Sequence, residues 1–291
     1  MIEKQAAKIN PKLILLMGVL GVSFSSIFIK YSTAPSLVIA TYRLGWTVLI
    51  LLPIVGIKFR QELRRLKKSD VLWGSVSGFF LAVHFAAWFE SLKFTSIASS
   101  TVLVSTEVIF AAIGFVFVLK GKINKKCIAA IVIAFAGSVV IAMNDYSGGS
   151  NILYGDALAL LGAIMAAVYT LVGKKQRGHL STTVYTFITY SACFVTMLIF
   201  DLATGTPLYG YGIKEVMLGL LLGISCTLLG HSIFSWSLKY LSPSFVSSAK
   251  LLEPVIASTL AIFIYKDFPS ISQMIGGGVV ICGVYLYSKY E

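Results

Sequence analysis

Charge is what this sequence has least of: only 12% of its 291 residues are charged, against roughly a quarter in a soluble chain. With 57% hydrophobic residues and a mean hydropathy of +0.87, it cannot cover itself with a polar surface in water. The missing charge is confined to short segments between long apolar runs, which excludes a water-soluble globular domain and makes lipid the solvent. Acidic residues are scarcer still, 12 against 24 basic ones, for a net charge of +12. The basic residues sit in connecting segments with no interleaved aromatic stripe, so they read as topology determinants, and no nucleic-acid partner is expected.

Other absences narrow the chemistry. The four cysteines, Cys127, Cys193, Cys226 and Cys282, lie singly in apolar runs, so they read as small hydrophobes. There is no HExxH pattern and no Gly-rich phosphate loop, so neither a metal cofactor nor ATP hydrolysis is expected, and any driven process would draw on a gradient. The polar start MIEKQAAKINPK leads into the first apolar run without a small-residue cleavage pattern, so that run is expected to stay as a helix.

What the sequence does have is apolar runs of membrane-crossing length, roughly 18 to 23 residues each. They predict ten helices over 12–30, 36–57, 71–93, 97–119, 126–143, 153–172, 182–203, 214–236, 243–265 and 271–288. The longest connection, Lys58 to Asp70, holds a turn or two of amphipathic helix at most. Alternate connections collect Lys58, Arg60, Arg64, Arg65, Lys67, Lys68, then Lys120, Lys122, Lys125, Lys126, then Lys174, Lys175 and Arg177. The opposite side keeps Lys30, Lys93, Lys214 and Lys266, and this bias predicts both termini in the cytoplasm.

The chain also repeats itself. Ser91 to Lys120 aligns without a gap on Ser237 to Lys266, pairing Glu107 with Glu253 and Lys120 with Lys266 at an offset of 146 residues, and Gly137 with Gly283 further on. Upstream the register drifts: Gly74 and Gly78 find Gly219 and Gly223, and His84 finds His231. Units of five helices enter the membrane in opposite senses, so the expectation is an all-α polytopic protein of two inverted repeats, 1–143 and 152–291.

Ionisable residues within apolar runs need a reason. Glu107, Glu253 and His84 fall near mid-membrane, Lys250 one turn from Glu253, and Arg43 about a third of the way into the second helix. Either these charges neutralise one another, Lys250 with Glu253 as i,i+3 neighbours and Glu107 with Arg43, or they line a polar cavity. Pro254 removes an amide and so predicts a free Lys250 carbonyl. His84 and Trp88 lie one turn apart, and Tyr42, Trp46, Trp88, Phe89 and Tyr169 could surround an organic cation. The small polar residues of the fourth and ninth helices, Ser247 among them, and Gly18, Gly21 and Gly276 to Gly278 read first as packing positions. His231 reads as an interhelical hydrogen-bonding group near the cytoplasmic end of the eighth helix.

At HFAAWFESLKFTSIASSTVLVSTEVIF and GHSIFSWSLKYLSPSFVSSAKLLEPVIA the chain resembles the EamA family of the drug/metabolite transporter superfamily, as two EamA units over nearly its full length. That resemblance implies ten helices, inverted repeats and a role as a secondary exporter or permease in the plasma membrane, rather than an enzyme. The family's cavity is similar in position to segments containing Arg43, His84, Trp88, Glu107, Lys250 and Glu253. The sequence departs from the family at Lys120 and Gly121, where an acidic residue is common, while Asp267 is kept. The expected solutes are small polar metabolites such as amino acids or amines: Lys250 and Arg43 would hold an anionic group, and Glu253 or Glu107 an amine or a proton. The partners are then a small-molecule substrate, the bilayer and protons, with the chain a monomer or homodimer. An intramembrane lipid-modifying enzyme and a non-transporting scaffold or sensor remain the alternatives.

Overall fold

A computed structural model describes residues 10–91, 93–94, 97–143, 151–266 and 270–291, and every regular element among them is helical. In lipid the backbone must satisfy its own hydrogen bonds, which the helix does within a single segment. Their order is α1 (Pro11–Ser23 and Ser25–Tyr31), α2 (Ser36–Lys58), α3 (Lys68–Ser91), α4 (Ile97–Ser105 and Glu107–Phe117) and α5 (Lys125–Ala142). Then follow α6 (Ile152–Gln176), α7 (Thr182–Ala203), α8 (Ile213 to Ser237), α9 (Pro243 to Tyr265) and α10 (Ile271–Tyr290). Among the described residues, eight helices are long and apolar enough to cross a membrane. The segments expected at 97–119 and 126–143 are helical too, and α4 is interrupted.

Polar residues at the water boundary set the starts. Asn10 accepts from the Lys12 amide ahead of α1, Ser181 from the Val184 amide ahead of α7, and Ser242 from the Phe245 amide ahead of α9. Ser270 and Gln273 bond reciprocally at the start of α10, a capping box. The polar connection after α2 holds the short helix Arg60–Arg64.

Close helix contacts rest on glycine, and they occur in matched pairs. Gly74 and Gly78 of α3 lie against Ile188 and the Thr189 carbonyl of α7, while Gly219 and Gly223 of α8 lie against Tyr42 and the Arg43 carbonyl of α2. Tyr42 and Ile188 are 146 residues apart, as are Arg43 and Thr189. Where α5 crosses α10, a Cβ on Gly137 would come within 2.7 Å of the Gly276 carbonyl and the Val280 amide. Gly283 meets the Ala134 amide in the same way at 2.5 Å. Gly276 thus packs as expected. A further coincidence is at Lys120 and Lys266, which end α4 and α9 with the same left-handed φ of 55°.

Two larger apolar cores result, beside a small one of Ile39, Leu218, Leu222 and Cys226. One gathers Leu15, Val108, Ala134, Phe234, Val246 and Val280 from α1, α4, α5, α8, α9 and α10. The other gathers Leu44, Phe85, Tyr169, Tyr190 and Cys193 from α2, α3, α6 and α7.

Four helices change their winding part way. The α4 ladder is interrupted at Thr106, whose amide bonds the Leu103 carbonyl at 3.1 Å and whose hydroxyl bonds it again at 2.5 Å. In α8, Gly223–His231 is a π-helix, a wide turn that takes up one extra residue. This accounts for the register drift, since the offset is 145 at Gly78 and Gly223 but 146 at Ser91 and Ser237. In α9, Lys250–Leu252 is a 3-10 turn in which the Glu253 amide bonds the Lys250 carbonyl. The free acceptor expected from Pro254 is therefore absent: tightening the turn supplies another donor. The fourth change is a turn at Phe24 between the two parts of α1.

Candidate functional site at the helix breaks

Glu107 and Glu253 each begin the continuous helix that follows a break, in α4 and α9 respectively. A carboxylate in the first turn of a helix is favoured by the unpaired amides and dipole there. Glu107 is buried, and its Oε1 accepts from Lys250 Nζ at 2.8 Å, the Ser247 hydroxyl at 2.9 Å and the Thr170 hydroxyl at 3.1 Å. Its Oε2 accepts from the same ammonium at 3.1 Å. Lys250 also lies 5.3 Å from the centre of the Phe234 ring. The charges do neutralise one another, but not as expected from sequence. Lys250 pairs with Glu107 across the two halves rather than with its neighbour Glu253, and Arg43 does not pair with Glu107.

Arg43 is 3% exposed and bonds the Thr227 hydroxyl, in the π-turn of α8, through Nε at 2.7 Å. Its guanidinium stands 4.9 Å from the centre of Phe85, and its Nη2 is buried without a hydrogen-bond partner among the described residues. Glu253 carries the complementary need. No hydrogen bond or ion pair to its carboxylate is found among the described residues, yet it interacts electrostatically with Lys250, Arg43 and Glu107. A buried cation and a half-buried carboxylate, both short of partners, are costly unless a further group satisfies them.

Aromatic rings connect these charges. Phe85 meets His231 edge-on at 5.6 Å, and His231 meets Phe234 at 5.8 Å. A continuous run therefore leads from Arg43 through Phe85, His231 and Phe234 to Lys250 and Glu107, bridging the two apolar cores. His84 stacks on Trp88 at 6.1 Å, and its Nδ1 donates to the Gly162 carbonyl at 2.9 Å. Trp88 Nε1 and His231 Nδ1 are both buried without a partner among the described residues. His231 thus lies in the ring cluster and is not the interhelical hydrogen-bonding group expected of it. Tyr42 is not brought to this centre; its hydroxyl donates to the Leu208 carbonyl at 2.6 Å.

The sequence reading passed over Phe85, Phe234, Thr170 and Thr227, which carry no charge to single them out, and Asp201. Asp201 is wholly buried, accepts from the Thr41 hydroxyl at 2.5 Å, and lies close enough to the end of α7 to pass for a loop residue. Asp267 lies outside the described residues.

Two acidic residues tie the ends of the bundle. Asp70, in the first turn of α3, accepts from His179 Nε2 at 2.9 Å in the α6–α7 connection. Glu215, in the first turn of α8, accepts from the Thr33 amide and hydroxyl at 3.0 Å each, and from the Ser32 hydroxyl at 2.5 Å, in the α1–α2 connection. Thr33 and His179 are again 146 residues apart, and Asp70 and Glu215 are 145 apart.

A multi-pass helical membrane protein with interrupted helices around buried, incompletely paired charges belongs to the class of membrane transporters. The comparisons with known proteins specify which: the model of the EamA-like transporter family matches twice, over residues 11–143 and 153–289, and the chain belongs to that family. It is similar to an uncharacterised transporter of Clostridium kluyveri, 25% identical over 81% of this chain and 78% of the relative. It is also similar to an S-adenosylmethionine uptake transporter of Rickettsia felis, 24% identical over 91% of this chain and 88% of that one. A solved crystal structure shares the fold with a TM-score of 0.79 at 15% identity, covering 96% of both chains.

Proposed function

We propose that this transporter is a secondary carrier of small polar metabolites bearing both an amine and an anionic group, such as amino acids, working by alternating access around the Arg43–Glu253 centre. The observation that carries this is the pairing of needs: among the described residues, Arg43 Nη2 lacks an acceptor and the Glu253 carboxylate lacks a donor. Glu107 and Lys250 already satisfy each other and so act as scaffold for the site. A solute carboxylate on Arg43 and an ammonium on Glu253 would complete both shells, and the Phe85, His231 and Phe234 rings would flank it. The Rickettsia relative's named solute, S-adenosylmethionine, carries an amino-acid end, which supports such a head group.

The matched contacts support ten crossings arranged as two inverted repeats, 1–143 and 152–291, with both termini cytoplasmic in the plasma membrane. In that arrangement Asp70–His179 closes the inner mouth and Glu215–Thr33 the outer one, and exchanging the two clamps exchanges access. Glu253 is the proton carrier, because in the closed state no protein cation bonds to it.

Protein reconstituted in liposomes with a trapped pH dye tests this with a panel of amino acids and amines. Proton flux should accompany the transported solute, should disappear in Glu253→Gln, and solute affinity should fall at least tenfold in Arg43→Gln. Full proton-coupled transport by Glu253→Gln would overturn the assignment of the carrier. Transport of neutral solutes by wild type, unaffected by Arg43→Gln, would overturn the substrate class.

A further inference from the structure

The inner end of α3 carries a second feature, separate from the centre. Gly74 and Gly78 draw α3 against α7, and small side chains above that contact leave a groove of about 670 Å³ open to the side. Leu72, Phe79, Phe187 and Val195 form its walls, and Ser75 and Ser191 its floor. It follows α3 from Val71 to Phe79, about 12 Å at 1.5 Å per residue. Leu72 is 60% exposed and Val195 53%, so the groove faces the lipid and not the interior of the bundle.

Directly before its first residue comes a run of basic side chains: Lys58, Arg60, Arg64, Arg65, Lys67 and Lys68. The two acids of that stretch are occupied elsewhere, Glu62 by the Ser181 amide and Asp70 by His179 and the Lys67 amide. None of the six cations has an ion-pair partner among the described residues. The chain holds its own comparison. Thr41, Tyr42, Gly45, Trp46 and Leu49 line a groove of about 260 Å³ whose positions lie 146 residues before Phe187, Ile188, Ser191, Ala192 and Val195. There Phe194 and Leu208 also line the groove, and the connection before α2, residues 32–35, holds no lysine or arginine. Of these two grooves, the larger is the one beside the basic run.

We propose that the α3–α7 groove binds one anionic phospholipid, an acyl chain lying between Leu72 and Phe187 and the phosphate head group held by the Arg64 to Lys68 cluster. Clustered Lys and Arg beside a membrane helix attract acidic head groups, each worth about a fivefold gain, and the groove adds the shape that makes the attraction a site. The proposal stands apart from the transport reading and survives its failure.

Native mass spectrometry of the purified protein with equal amounts of dioleoylphosphatidylglycerol and dioleoylphosphatidylcholine tests it. Wild type should retain one phosphatidylglycerol at least tenfold over phosphatidylcholine. Replacing Arg64, Arg65, Lys67 and Lys68 together by Gln, all exposed, should abolish that preference in protein whose helical circular dichroism and melting temperature match wild type. Ser75→Leu with Ser191→Leu, which fills the groove and keeps the charges, should expel the lipid. Equal retention of the two lipids, phosphatidylglycerol kept by either variant, or a dimer that carries no lipid would each overturn it.

Discussion

Replacing Lys250 by Met, set beside Glu107→Gln and Glu253→Gln, decides between the two pairings open to this chain. The Lys250–Glu107 pair is 16% and 9% exposed on its two sides, so solvent screens it little, and breaking such a pair from one side costs about 3 to 5 kcal/mol. The Ser247 and Thr170 hydroxyls stay on Glu107 after the change, which places the loss near the lower figure, about 3 kcal/mol. Glu107→Gln strands Lys250 instead and should lose a similar amount. The double variant removes both charges of the pair and should lose no more than about 3 kcal/mol, giving a coupling of about 3 kcal/mol, at the top of the usual range. Glu253→Gln removes a carboxylate with no bonded partner and should leave stability within about 0.5 kcal/mol. Unfolding in mixed detergent micelles, followed by the fluorescence of the four native tryptophans, measures all four. If Glu107→Gln is neutral while Glu253→Gln destabilises, Lys250 belongs to Glu253 and the pair between α4 and α9 described here is wrong.

Two further outcomes can be checked. Gly137→Leu puts carbon within 2.7 Å of backbone atoms of α10, which cannot move aside as a side chain would. It should destabilise by about 3 kcal/mol, whereas the same change at Gly278, which has open space around it, should be tolerated in the same micelle assay. For the mouths, a single cysteine at Ser23, which is buried with its hydroxyl 3.5 Å from the Glu253 carbonyl, in protein whose own four cysteines are replaced, should react with an impermeant maleimide from outside after Glu215→Ala and from inside after Asp70→Ala. Equal labelling from both sides in both variants would refute the clamps.

The helices were legible because lipid leaves the chain so little choice: wherever an apolar run reached crossing length, a helix lies within a few residues of it. The winding changes were harder. Pro254 announced one, but Thr106 breaks α4 with neither proline nor glycine, through hydrogen bonds that any threonine could make. The π-turn did leave a trace, the one-residue slip between Gly78 and Ser91 against Gly223 and Ser237, which looks like noise until a wide turn is there to absorb it. The charged residues of the centre were legible one by one, as ionisable groups where none is cheap. Their partners were not, because i,i+3 spacing favours the neighbour Glu253 and says nothing of a glutamate 143 residues away. Uncharged members such as Phe85 and Thr227 look like any apolar or small residue in a membrane helix.

The α5–α10 crossing has a use for anyone who wishes to watch the protein work. Gly137 and Gly283 hold backbone against backbone there, each meeting the residue that the other's repeat supplies, so exchanging the roles of the two halves maps this contact onto itself. In the alternating-access cycle proposed above, it is the stationary axle. Spectroscopic labels placed across it should report a constant separation through the transport cycle, a built-in ruler against which every other distance can be read.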